Sequence, residues 1–336
     1  MPLAGNLGAG YAVRTYLDQT YTTRRGPEMT DERSSRKEKL ISSPRLGRRT
    51  LLASMASALV ARSARAQQTP ELDEDLRNLR LLDVREGGRR ATIVTPRYIN
   101  PGVKLPVCVF LHGLGETGDE RAGAYAFVER YGLAEAWQRM KRAPIEKTSK
   151  RGEWTDARLA EVNAELEKDP FKGLVLVCPY MPMPNGPGDH DAYARWLTDS
   201  LLPRARKETP ASDEPAKTLL CGVSLGGYCS LEVMVRAAEK FGAWAGVQTA
   251  VGDHMAPGYA ERISQRWEAA GKKGRPMLLL TSTQDHWKHS SEALSAAFKT
   301  KGLSSTYRVI PGPHDQPWLK EAGMIEALLW LDRAAR

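Results

Sequence analysis

From residue 91 to the end of the chain, short apolar runs alternate with longer stretches whose apolar residues recur every three or four positions. Ala91–Thr95, Val107–Leu111, Leu174–Cys178, Thr218–Cys221, Ala245–Ala250, Met277–Ser282 and Ser305–Ile310 have the length and apolar content of buried strands. Asp119–Arg142, Asp191–Leu202, Leu225–Lys240, Ser291–Thr300 and Leu319–Arg333 carry helical spacing, and a further helix is expected between the strands at 245–250 and 277–282. In Asp191–Leu202, Tyr193, Trp196, Leu197 and Leu201 fall at helical spacing, and Pro203 is expected to stop the helix. Alternation of this kind predicts an α/β fold: a mostly parallel central sheet covered by helices on both faces.

Two segments interrupt the rhythm. Residues 143–172 form a charged insertion with an expected helix whose Leu159, Val162 and Leu166 face one way. Met181–Gly188, rich in Pro and Gly, has no regular structure open to it. Each adjoins a strand whose C-terminal end should border a ligand site in an open α/β sheet. The first is expected to be a cap and the second a substrate wall.

Composition changes the picture mainly at the N-terminus. Arg48-Arg49-Thr50-Leu51-Leu52 resembles a twin-arginine export signal, an apolar stretch follows over Leu51–Val60, and Ala64-Arg65-Ala66 offers a cleavage site before Gln67. Leu51 stands where such signals usually carry phenylalanine, and Met29 is an alternative start. The expectation is a leader over residues 1–66, a catalytic domain over 67–336, the twin-arginine machinery as a partner, and a periplasmic or secreted product. The apolar stretch is too short to serve as a stable membrane anchor. The chain of 336 residues has a formal net charge of +9, but residues 1–66 hold 12 of the 49 Lys and Arg and 5 of the 40 Asp and Glu, leaving +2 on the rest. The basic excess belongs to the leader and gives no reason to expect nucleic-acid binding. Cys108, Cys178, Cys221 and Cys229 lack C-x-x-C spacing and are expected to be small buried hydrophobes.

The chemistry centres on Gly222-Val223-Ser224-Leu225-Gly226, placed between an apolar strand and a helix. A tight strand-to-helix turn pushes the serine out of the sheet, and the flanking glycines keep Cβ atoms out of the crowded turn. Ser224 needs a base and a carboxylate that orients it. His314 follows the last strand and Asp285 follows Met277–Ser282, giving the chain order Ser224, Asp285, His314. Asp253, after the preceding strand, is the second choice of acid; Asp315 adjoins His314 too closely in the chain. His254 and His286 could line a pocket, and His286 with His289 lack the further ligands a metal needs, so no metal and no cofactor are expected. An oxyanion hole calls for two backbone N–H donors. Leu225 would supply one and Leu114, in His112-Gly113-Leu114-Gly115, the other, with His112 bracing that loop. Trp287 and Trp318, with Met181 and Met183, are candidates for a partly apolar substrate pocket.

These residues resemble the α/β-hydrolase superfamily, and within it the branch that holds esterase D, feruloyl and related carbohydrate esterases, and the mycolyltransferases. Phe110-Leu111-His112-Gly113, Gly222–Gly227, Ser282-Thr283-Gln284-Asp285 and Gly312-Pro313-His314 followed by Trp318 carry the likeness, as does the closing Leu328-Leu329-Trp330-Leu331. The resemblance implies an exported serine hydrolase that cleaves small-molecule or saccharide-linked carboxylic esters. An acyltransferase of the same fold and a non-catalytic binding protein are the alternatives.

Overall fold

The computed structural model describes residues 76–271 and 274–336. The expected leader over residues 1–66 lies outside the described residues.

Eight strands form one sheet in the order β1-β2-β4-β3-β5-β6-β7-β8. They are β1 (Leu79–Glu86), β2 (Arg89–Pro96), β3 (Val107–Leu111), β4 (Val175–Pro179), β5 (Thr218–Val223), β6 (Ala243–Val247), β7 (Met277–Gln284) and β8 (Ser305–Pro313). β1 pairs antiparallel with β2, and β2 with β4; every other pair is parallel. β1 was not expected from the sequence. Its polar positions mark it as an edge strand, and Gly87 and Gly88, at φ 55° and 79°, turn the chain back within two residues.

The parallel strands read as unbroken apolar runs because both their faces are covered. Val107, Val109 and Leu111 of β3 enter one core, while Cys108 and Phe110 between them enter the other. Met277 and Leu279 of β7 divide from Leu278 and Leu280 in the same way. All four cysteines are buried and unpaired, and burial pushes their thiols up.

The helices differ from expectation at three points, each with a local cause. Asp119–Arg142 is two helices, α1 (Glu120–Glu129) and α2 (Leu133–Lys141), divided by Gly132 at φ 71°. After α3 (Asp156–Lys168), α4 starts early, at Pro187, and runs to Trp196. Pro203 does not end it: a wide π-helical turn over Leu197–Leu201 leads into α5 (Leu202–Glu208), where Pro203 sits in the first turn and needs no donor. α6 (Leu225–Ala237), α7 (Ala256–Ala269) and α8 (Lys288–Thr300) follow. The closing helix α9 (Met324–Ala334) is preceded by a π-helical turn over Leu319–Gly323.

The insertion at 143–172 is folded onto the closing helical segment. Val162 and Leu166 of α3 are buried, Leu159 packs beside them, and Trp154 Nε1–H donates to the Glu321 carbonyl at 2.9 Å. Arg158 reaches the buried Glu326 at 2.7 Å. Farther along, Arg151 bonds Asp315 at 2.8 Å, one residue past His314. The insertion is thereby tied to the loop after β8.

Candidate active site

Ser224 stands between β5 and α6 at φ 55°, ψ −116°, a left-handed conformation that non-glycine residues rarely adopt. Its N–H donates to the Val247 carbonyl at 2.9 Å, and its own carbonyl accepts from Ala250 at 3.0 Å and Tyr228 at 3.2 Å. The neighbouring β6 therefore holds the strained turn in place. A Cβ at Gly226 would meet the Leu111 carbonyl oxygen at 2.0 Å, and one at Gly222 would meet the Gly226 carbonyl at 2.1 Å. Both glycines are needed because β3, β5 and α6 converge at this point.

The structure brings Asp285 and His314 together. Parallel pairing of β7 with β8 sets their C-terminal ends side by side, and His314 Nδ1 lies 2.8 Å from Asp285 Oδ1. The buried carboxylate is fully engaged. Oδ1 also accepts from Trp287 N–H at 2.9 Å, and Oδ2 accepts from the buried Thr281 hydroxyl at 2.6 Å. Burial pushes this carboxyl up, but the bonds from His314, Thr281 and Trp287 outweigh it and hold its pKa below the ordinary aspartate value. With Nδ1 committed to Asp285, Nε2 of His314 is left to take a proton. No hydrogen bond joins it to Ser224 Oγ among the described residues; such contacts often close only once substrate is bound. Asp253, the other candidate acid, faces His254 and His289 on the surface.

The loop after β3 brings a second group of residues to Ser224. A Cβ at Gly113 would lie 3.8 Å from the Ser224 Cβ. His112 is buried, and its Nε2 accepts the Met181 N–H at 2.9 Å, so the ring is neutral and Nδ1–H donates to the Gly113 carbonyl at 2.8 Å. Burial lowers its pKa, consistent with that state. The Gly113 N–H is already taken by Tyr131 Oη at 3.1 Å, and the Tyr131 hydroxyl donates to the buried Glu116. The N–H of Leu114 and that of Leu225, first residue of α6, have no partner among the described residues. They are available to an anion, and the N-terminus of α6 adds its positive end.

The two tryptophans expected at a substrate pocket are buried beside the histidine loop. Trp318 Nε1–H donates to the Pro311 carbonyl at 3.0 Å, and the Trp287 backbone N–H donates to Asp285. A cavity of about 140 Å³ is lined by the loop after β4 and by α4, with Met181, Met183, His190 and Arg89 among its residues; Ser224, Asp285 and His314 do not line it. Met181 and Met183 had been marked by the loop's composition; Arg89 and His190 carried no sequence signal.

Asp285, His286 and His314 have donor atoms within 4.8 Å of one another. Both oxygens of Asp285 are occupied by protein donors, and the exposed His286 stacks on His314 at 4.6 Å between ring centroids, so the cluster reads as a histidine–carboxylate pair with a second ring beside it. His289 contacts Asp253 and does not join them.

A strained serine elbow after β5, a histidine–aspartate pair after β8 and β7, and a braced N–H loop after β3 are arranged on the α/β-hydrolase fold. Together with the sequence match, they define a serine-type carboxylic ester hydrolase. Residues 178–305 match the family described as Putative esterase. No curated protein matches the sequence. Among solved structures, the chain is similar to a ferulic acid esterase at 14% identity and TM-score 0.55, covering 76% of this chain and 98% of that one. It is similar to a fluorophosphonate-binding serine hydrolase of Staphylococcus aureus at 13% identity and TM-score 0.52, covering 76% and 98%. It is also similar to a feruloyl esterase module from Clostridium thermocellum complexed with sinapinate, at 12% identity and TM-score 0.52, covering 74% and 86%. At these identities the likeness shows the fold.

Proposed function

We propose that the chain hydrolyses small-molecule carboxylic esters through an acyl-enzyme on Ser224. His314 Nε2 takes the hydroxyl proton as Ser224 Oγ bonds to the ester carbonyl carbon. The carbonyl oxygen becomes an oxyanion held by the N–H groups of Leu114 and Leu225. Asp285 keeps His314 in the Nδ1–H tautomer and stabilises the imidazolium. Collapse of the tetrahedral intermediate breaks the bond to the alcohol oxygen, which leaves with the proton from His314. Water then gives a proton to His314 and attacks the acyl carbon; as that second tetrahedral intermediate collapses, the bond to Ser224 Oγ breaks, His314 returns the proton to Oγ, and the acid leaves. The observation that supports this reading is the 2.8 Å contact between His314 and Asp285, at the same C-terminal end of the parallel strands as the strained Ser224.

A fluorophosphonate probe tests it. Wild-type protein should be labelled on Ser224, and Ser224→Ala should be unlabelled while still folded. Labelling that persists in the folded variant would place the nucleophile elsewhere.

We also propose that the protein is exported by the twin-arginine route and cleaved after Ala66, on the strength of Arg48-Arg49 and Ala64-Arg65-Ala66. That route carries folded proteins, which suits four buried free thiols.

A further inference from the structure

Asp285, His286 and Trp287 follow β7 in direct succession, and the mechanism above uses only the first. Asp285 is buried against His314, and Trp287 is buried with its backbone N–H turned onto the Asp285 carboxylate. His286 between them is exposed. The backbone sets the direction of its side chain. Asp285 N–H donates to the Ser282 carbonyl at 3.2 Å, and the Asp285 carbonyl accepts from Lys288 N–H at 3.1 Å, closing a turn in which His286 is the second residue. The His286 ring lies on His314, with centroids 4.6 Å apart and planes 29° from parallel. An exposed ring gains little from burial, so its placement on the catalytic base calls for another account.

The contact supplies what Asp285 leaves open. One hydrogen bond from His314 Nδ1 sets the tautomer, but the tilt of the ring plane, and with it the direction of Nε2, depends on other contacts. His314 is not enclosed by its loop, since its side chain is 19% exposed. A ring stacked on its face restricts the tilt. A misplacement of about 1 Å costs about a hundred-fold in rate, so that restriction bears directly on proton transfer from Ser224.

The stacked face is also an electrostatic one. His314 becomes an imidazolium in both half-reactions, and a neutral aromatic face within about 6 Å attracts a cation. At 4.6 Å the His286 ring is inside that range.

We propose that His286 is a positioning residue for the reaction: its ring holds the plane of His314 so that Nε2 is aimed at Ser224, and its π face steadies the imidazolium. This rests on the serine esterase reading above and adds to it a residue outside the triad.

Three variants separate the two parts, and an exposed position tolerates them with little cost to folding. His286→Ala removes the ring, His286→Leu keeps bulk without a π face, and His286→Phe keeps both. The assay uses p-nitrophenyl acetate at about pH 8, above the ordinary imidazole pKa of about 6.5. In His286→Ala, kcat should fall about ten-fold or more with KM nearly unchanged, the pattern of an interaction made in the transition state. His286→Phe should recover most of that loss. His286→Leu should remain about two- to five-fold below His286→Phe, the scale of an exposed cation–π contact. The rate of fluorophosphonate labelling at Ser224, which also needs His314 as base, should follow the same order. An unchanged kcat in His286→Ala, or a loss that His286→Phe does not recover, would overturn the role; equal rates in His286→Leu and His286→Phe would overturn its electrostatic half. Labelling that slows in His286→Ala, in a protein that turns over no ester, supports the positioning role and overturns the esterase reading alone. Ester hydrolysis equal in wild type and His286→Ala leaves the esterase and removes the role. Wild-type protein that is neither labelled nor active overturns both.

Discussion

The Gln248 side-chain amide donates to the Pro313 carbonyl at 3.0 Å, so the residue just past the end of β6 holds the residue before His314. Gln248 is buried, sits at φ 48° and also donates to Ser282 Oγ at 2.8 Å, which in turn bonds the same carbonyl at 3.1 Å. Its neighbour Val247 accepts the Ser224 N–H. One turn after β6 thus joins the serine elbow to the histidine loop. Gln248→Ala should lower kcat by about ten- to a hundred-fold through misplacement of His314, with little change in KM. Steady-state kinetics on a p-nitrophenyl ester decides it; an unchanged kcat would make the clamp merely structural.

Asp285→Asn should reduce kcat by about 10⁴-fold, because the amide favours the wrong histidine tautomer. Asp253→Asn, at an exposed position beside His254 and His289, should be close to wild type. The two variants measured side by side separate the candidate acids. Equal losses would refute the assignment.

Tyr131→Phe removes one hydroxyl that accepts from Gly113 and donates to Glu116. It leaves a buried N–H and a buried carboxylate each short of a partner, at a cost of about 1–3 kcal/mol. Urea unfolding should show that loss, and kcat should fall as the Leu114 loop loosens.

His112 and His190 are buried, and burial, their largest influence, lowers both pKa values from 6.5. The unfolded chain therefore binds more protons than the native protein once the pH falls below about 6.5, and stability drops until the lower native values are reached. Urea midpoints should decrease from pH 7 to pH 5, and less steeply in His190→Gln. A midpoint flat across that range would mean these rings titrate freely in the native state.

Protein recovered from the periplasm or medium should begin at Gln67. N-terminal sequencing checks this, and a product that began at Met1 or Met29 would refute export with cleavage after Ala66.

The sequence alone was enough for the sheet-and-helix alternation, the serine elbow and the chain order of Ser224, Asp285 and His314. Each of these rests on local physics. A strand covered on both faces must be apolar throughout, and a turn as tight as that between β5 and α6 excludes Cβ atoms at Gly222 and Gly226. Boundaries slipped where a local rule was outvoted nearby, as when a π-helical turn moved Pro203 into the first turn of the next helix. The tertiary structure alone decided which acid meets His314, because that depends on β7 and β8 lying side by side over residues far apart in the chain. It alone turned Trp318 inward, placed Thr281, Tyr131 and Gln248 behind the reacting groups, and brought Arg89 from β2 together with His190 from α4. These residues follow no motif, since what recruits them is proximity across strands and helices, which hydrophobic period and turn chemistry do not encode.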